Sequence, residues 1–196
     1  MAITQEEAEQ GMNMYLYNDN WEVEISEINY NPDSADNVIQ PDDYIVLNED
    51  FPKTVLIKIL DANHSEEKSI VLSVSFFTPH DQFAFIMDND LFMFLNDTVC
   101  NMELQTGRIV KRSKLDISGS LVSVHLYRDD FILYCEMNII RMNQNLDVIW
   151  NFMARDIFVR YKGEEPAFEM KEDRIQLYDF SDNYYEIDYD GKVIVD

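Results

Sequence analysis

Three histidines, two cysteines and 38 carboxylates are the groups in this chain that could do chemistry. His64, His80 and His125 fall on different predicted elements, and no two share the helical or strand spacing of metal ligands. Cys100 and Cys135 stand singly inside apolar runs, so buried free thiols are expected rather than a Cys-x-x-Cys metal or redox pair. Asp88-Asn89-Asp90 begins like a calcium loop. The glycine and terminal glutamate of such a loop are missing, and the triplet reads as a turn. Asp33 with Asp36, and Asp42 with Asp43, could bind a divalent ion only weakly and read as solvated loop acids. There is no Gly-x-Ser-x-Gly, and Ser118-Gly119-Ser120 reads as a turn between repeats. The five glycines build no phosphate-cradling loop. With so many carboxylates, a pair at glycosidase separation arises by chance and identifies no acid and base. The expectation is no catalytic residue, no cofactor and no metal. A hydrolytic, carbohydrate-active enzyme using carboxylates that the sequence does not single out is the alternative.

Charge is more informative than these groups. The formal net charge is −23, and it is unevenly placed. Residues 1–50 hold 13 acidic side chains and no Lys or Arg; the first cation is Lys53. Residues 101–150 hold 6 acidic and 6 basic side chains and are neutral. Such a surface repels nucleic-acid phosphates and anionic lipid, and it attracts cationic partners. A solubility device is the plainer reading. Basic residues cluster at Arg108, Lys111, Arg112 and Lys114 on the outer strand of the first repeat, where they could dock the acidic N-terminal region; discouraging sheet-to-sheet pairing at an edge is the plainer role. Tyr178, Tyr184, Tyr185 and Tyr189 interleave with Asp179, Asp182, Glu186, Asp188 and Asp190. Tyrosine and carboxylate together suit a protein interface, although alternate tyrosines also suit a core.

The elements that would position these groups are mostly strands. Thr4 and Glu7 have capping-box spacing, which predicts a short helix to about Leu16, weakened by Gly11. Trp21, Val23 and Ile25 alternate with polar residues at the period of a half-buried strand. Residues 29–43 hold two prolines and many turn formers and read as a loop. Strands are expected at Tyr44–Leu47, Val55–Leu60 and Ile70–Phe77. No basic or apolar leader opens the chain, and no apolar run has the length of a membrane span, so a cytoplasmic protein is expected.

From residue 83 a pattern repeats. Met102–Val110, Met142–Trp150 and 187–194 each read as an apolar residue, a polar turn and an apolar pair. The pairs begin at Ile109, Val148 and Val193, which is 148 − 109 = 39 and 193 − 148 = 45 residues apart. A second marker keeps nearly the same period: Asp90, Asp130 and Asp173 each end an earlier turn. A period near this length indicates propeller-type blades, each a four-stranded antiparallel meander. Gly107 and Gly191 suit turns that need positive φ; the turn at Asn145-Leu146 has no glycine.

The segments Met102–Gly107 and 187–194 resemble the blade hairpin of quinoprotein-type β-propellers, in which the strand after the turn carries a tryptophan. Trp150 holds that position in the second repeat and is expected between adjacent sheets; Lys111 and Val195 replace it in the others. The resemblance implies a fold and no activity. The expected architecture is all-β: residues 1–82 as an acidic N-terminal region, and 83–196 as three propeller-like repeats of an incomplete or degenerate propeller. Either the N-terminal strands form further degenerate blades, or sheet edges stay open and could pair between copies.

The functional expectation is a non-enzymatic binding protein that captures a basic partner protein, such as a toxin or nuclease. Bacterial immunity proteins are similar in size and charge. Asp42, Asp43, Glu49 and Asp50, with Tyr184 and Asp188, are the expected partner-binding residues.

Overall fold

The computed structural model describes residues 13–48, 53–63, 67–75, 82–160, 163 and 165–196. Among them every regular element is a strand. In order they are β1 (Asn13–Tyr17), β2 (Trp21–Ile28), β3 (Asp43–Val46), β4 (Lys53–Asp61), β5 (Glu67–Val74), β6 (Ala84–Met87), β7 (Asp90–Leu95), β8 (Thr98–Glu103) and β9 (Arg108–Lys114). There follow β10 (Leu121–Tyr127), β11 (Asp130–Cys135), β12 (Asn138–Met142), β13 (Val148–Met153), β14 (Phe168–Met170), β15 (Arg174–Tyr178), β16 (Tyr184–Asp188) and β17 (Val193–Val195).

The three repeats are three four-stranded meanders, β6-β7-β8-β9, β10-β11-β12-β13 and β14-β15-β16-β17. The N-terminal strands make a fourth sheet, ordered β1-β2-β4-β5-β3. Its first four strands are an antiparallel meander like the others; β3 is inserted from the loop after β2 and lies parallel to β5. The N-terminal region therefore supplies a further blade-like sheet with an added edge strand. The helix expected to about Leu16 is corrected over its last part, because Asn13–Tyr17 is β1. Met14 and Leu16 turn to the core while Tyr15 and Tyr17 face out, the period of two that a strand requires. Thr4, Glu7 and Gly11 lie outside the described residues.

Two compact units divide at Arg112/Ser113. The first repeat groups with the N-terminal sheet in the first unit. In the first unit Val23, Ile25, Ile57, Ile59, Ile70 and Leu72 pack with Leu91, Met93, Cys100 and Met102 in one core. Two turns tie these sheets together. The Trp21 indole N–H donates to Asn89 Oδ1 at 2.9 Å, and the Asn18 amide donates to the Asp88 carbonyl at 2.8 Å. The β8–β9 turn lies against β5, where a Cβ on Gly107 would stand 2.5 Å from Ile70 Cδ1.

The second unit repeats this design. Its core joins Ile132 and Ile139 to Ile175, Leu177, Tyr185 and Ile187. The β16–β17 turn lies against β13, and Gly191 meets the Trp150 ring where Gly107 meets Ile70. The Tyr189 carbonyl accepts from Trp150 Nε1 at 2.9 Å and from Arg141 Nη1 at 2.6 Å, while the Tyr189 ring stacks on Tyr127 at 3.7 Å. Arg141 is also paired to Asp130 at 2.6 Å and is nearly buried. Trp150 thus sits between adjacent sheets, but half-buried rather than enclosed. The glycine-free turn works because Leu146 takes φ +56° and buries its side chain. Burial of a leucine, about 1.5–3 kcal/mol, outweighs a left-handed backbone cost of about 1–2 kcal/mol.

Candidate partner-binding faces

In the N-terminal sheet the core takes one face. The other carries Tyr15 and Tyr17 of β1, Glu22 and Glu24 of β2, Lys58 and Leu60 of β4, and Glu67 and Ser69 of β5. Strand register sets two rows across it: Tyr17–Glu22–Leu60–Glu67, and Tyr15–Glu24–Lys58–Ser69. The second row is internally paired. Glu24 accepts from Lys58 at 3.2 Å, from Asn13 at 3.1 Å and from Tyr15 at 3.3 Å. The first row is not. Glu22, Glu67 and Asp19 of the β1–β2 turn are exposed and have no hydrogen-bond or ion-pair partner among the described residues. Tyr17 is 82% exposed. Farther along the same face Leu56, Val71 and Ser73 are buried, so the open part is the end holding Tyr17 and Glu22.

Asp42 and Asp43 lie beside this face at the start of β3. They line a surface cleft of about 500 Å³ with Glu67, Lys68, Thr106 and Arg108. Both carboxylates do structural work there. Asp42 Oδ2 accepts the Ser69 N–H at 2.7 Å and the Ser69 hydroxyl at 3.2 Å, which aligns β3 on β5. Asp43 Oδ1 accepts the Tyr44 N–H at 2.8 Å. Glu49 and Asp50 lie outside the described residues.

Tyr184 and Asp188 share one face of β16 in the second unit. Tyr184 donates to Glu186 in a short hydrogen bond, accepts from Gln176 at 2.7 Å, and leans on Tyr178 at 4.8 Å. Burial first, then the bond to Glu186, pushes its phenol up to about 12. Arg160 covers Tyr178 with its guanidinium 3.6 Å above the ring, and Arg174 pairs with Glu186 at 2.9 Å. Asp188 holds the β16–β17 turn, accepting from the N–H groups of Asp190 at 3.0 Å and Lys192 at 2.8 Å. Glu186 is ion-paired within this network, whereas Asp188 is held by backbone N–H groups and has no cationic partner among the described residues. The structure brings Asp42 and Asp43 together in one unit and Tyr184 and Asp188 together in the other.

Catalytic arrangements are thin. His125 Nε2 lies 2.8 Å from Ser123 Oγ, and burial lowers its pKa, which favours the neutral imidazole. Its ring stacks on Phe168 at 5.0 Å, and no carboxylate among the described residues orients its other nitrogen. Without an orienting group among the described residues, this pair lacks the third member of a nucleophile–base arrangement. Cys100 and Cys135 are buried thiols, each pushed up to about 12 by desolvation. They are poor nucleophiles at neutral pH. No cluster of His, Cys, Asp or Glu among the described residues is arranged to hold a metal. His64 and His80 lie outside those residues.

The sheets define an all-β protein built of blade-like, four-stranded meanders, the unit of β-propellers. No family model matches the chain, and no curated protein does. Among solved structures it is similar to a protein of unknown function from Bacteroides caccae, at 18% identity over 74% of this chain and 62% of that one, with a TM-score of 0.39. It is also similar to Hsv2 of Kluyvelomyces marxianus, at 10% identity over 71% of this chain and 46% of that one, with a TM-score of 0.41. The chain spans less than two thirds of either structure. At these scores the strand order, not the likeness, carries the description of the fold.

Proposed function

We propose that the protein is a non-enzymatic binding protein that captures a basic partner protein on the acidic open face of its N-terminal sheet. An inhibitor of the immunity type, neutralising a toxin or nuclease, is the form this takes. One observation carries the reading: Asp19, Glu22 and Glu67 are exposed on or beside one face without a partner among the described residues, in a chain of net charge −23. Unpaired carboxylates of one sign build a field that Lys and Arg of a partner relieve, and that field speeds encounter. The same field disfavours nucleic acid and anionic membranes. The quinoprotein-like hairpins add no chemistry to this reading.

The test is affinity capture from the native cell with the wild-type chain and with Asp19→Asn/Glu22→Gln/Glu67→Gln as bait. A positively charged protein bound by the first bait and lost from the second is expected. Equal capture by both baits, or recovery of no basic protein, would overturn the assignment.

A further inference from the structure

The edge of β1 gives the proposed capture a geometry. β1 ends the sheet order, and no described strand pairs with its free side. Its side chains alternate cleanly: Met14 and Leu16 face the core, and Asn13, Tyr15 and Tyr17 face out. Tyr15 is 58% and Tyr17 82% exposed, and their cross-strand neighbours are Glu24 and Glu22. An edge that no described strand pairs, with this face next to it, offers two things at once. Backbone N–H and C=O groups would pair with an incoming strand, and ring faces flanked by carboxylates would receive cationic side chains.

Resting on the reading above, we infer that β1 takes an extended, arginine-bearing segment of the partner as an added strand, its guanidinium groups lying over Tyr15 and Tyr17 and against Glu22 and Asp19. Charge selects this occupant over two others. A second copy of this chain would bring Asp19 and Glu22 against the same groups, at a net charge of −23 on each molecule. Residues 1–12 contain Glu6, Glu7 and Glu9 and no Lys or Arg, so that segment is also mismatched. A cationic strand is the one complement. Five residues of β1 set the length: at about 3.4 Å per residue the edge runs about 17 Å. Arginines at every second position of a five- to seven-residue segment would fall on the tyrosine side. Arginine is favoured over lysine because its planar guanidinium stacks on an aromatic ring and still reaches a carboxylate.

The experiment uses the full chain and a fluorescein-labelled heptapeptide alternating Arg and Val, read by anisotropy at physiological salt. A second peptide carries the same side chains with N-methyl groups on alternate residues, which block strand pairing and keep the charge. Tyr15→Ser/Tyr17→Ser and N-methylation should each weaken binding tenfold or more, and the remote Glu172→Gln should not. The tyrosines are exposed, so the double variant should keep its fold. Salt-sensitive binding that ignores both changes would overturn the strand-addition site and leave cationic capture standing. Absence of any salt-sensitive binding by the wild-type chain would overturn the parent reading. A dimer in sedimentation that the double variant abolishes would put a second copy on this edge and refute the assignment.

Discussion

Gly191→Ala tests how the second unit is held together. Gly191 has φ +84°, and a Cβ there would stand 2.6 Å from Trp150 Cγ and 2.8 Å from Cδ1. Alanine in the left-handed region costs about 1–2 kcal/mol. The ring overlap adds about 1–3 kcal/mol, the usual range for overpacking, because Trp150 is pinned by its N–H on the Tyr189 carbonyl. The single variant should therefore lose about 2–5 kcal/mol. In a Trp150→Ala background the ring overlap is gone and the nearest side-chain atom left at that position is its Cβ, 3.0 Å away, so little more than the backbone cost of about 1–2 kcal/mol should remain. The assay is urea unfolding followed by far-ultraviolet circular dichroism, since Trp150 cannot serve as the reporter. Equal losses in both backgrounds, or a loss below about 0.5 kcal/mol in the first, would show that the β16–β17 turn does not bear on β13 as described.

Other outcomes follow from the same geometry. Trp150→Ala alone should cost about 2–3 kcal/mol by urea unfolding, below the 3–5 of a fully enclosed tryptophan, because the ring is half-buried and loses one hydrogen bond. Leu146→Gly should destabilise by about 1 kcal/mol despite relieving positive φ, because lost burial exceeds relieved strain; a stabilised variant would reverse that order. Asp179 is buried and accepts hydrogen bonds from Tyr185, from the Asn183 side chain and from the Asn183 backbone. Burial pushes its carboxyl up, but these bonds together outweigh burial and hold it below the usual range. Its stabilisation is thus present above about pH 4, the unfolded value, and is lost as pH falls through the lower folded value. Asp179→Asn should flatten the acid limb of a stability–pH curve, and an unchanged limb would contradict the assignment.

Much of the fold is legible in the residues. Asp90 and Asp130 open β7 and β11 directly after tight turns and Asp173 ends the turn before β15, while Gly107 and Gly191 mark turns because their φ is positive. Those constraints are local, so they survive as spacing. β1 is hidden because an upstream capping box suggests a helix, while the alternation of Met14, Tyr15, Leu16 and Tyr17 spans too few residues to outweigh it. The parallel pairing of β3 with β5 is a long-range choice, and no local pattern encodes it. The candidate site is legible as regional charge but not as residues. Asp42 and Asp188 look like free acids in the sequence, yet their side chains complete a strand alignment and a turn. Which carboxylates remain unpaired depends on cross-strand register: Glu24 meets Lys58, whereas Glu22 meets Leu60.

The measurement closest to the central claim is the association rate constant of the captured basic partner, followed by stopped flow as salt is raised. The Debye length falls from about 30 Å at 0.01 M to about 8 Å at 0.15 M. An acidic face that steers encounter should give a rate that drops steeply across this interval, and Asp19→Asn/Glu22→Gln/Glu67→Gln should lower the rate and shallow the slope while changing dissociation less. A rate indifferent to both salt and the triple variant would leave the charge of this face as a solubility feature and contradict the account.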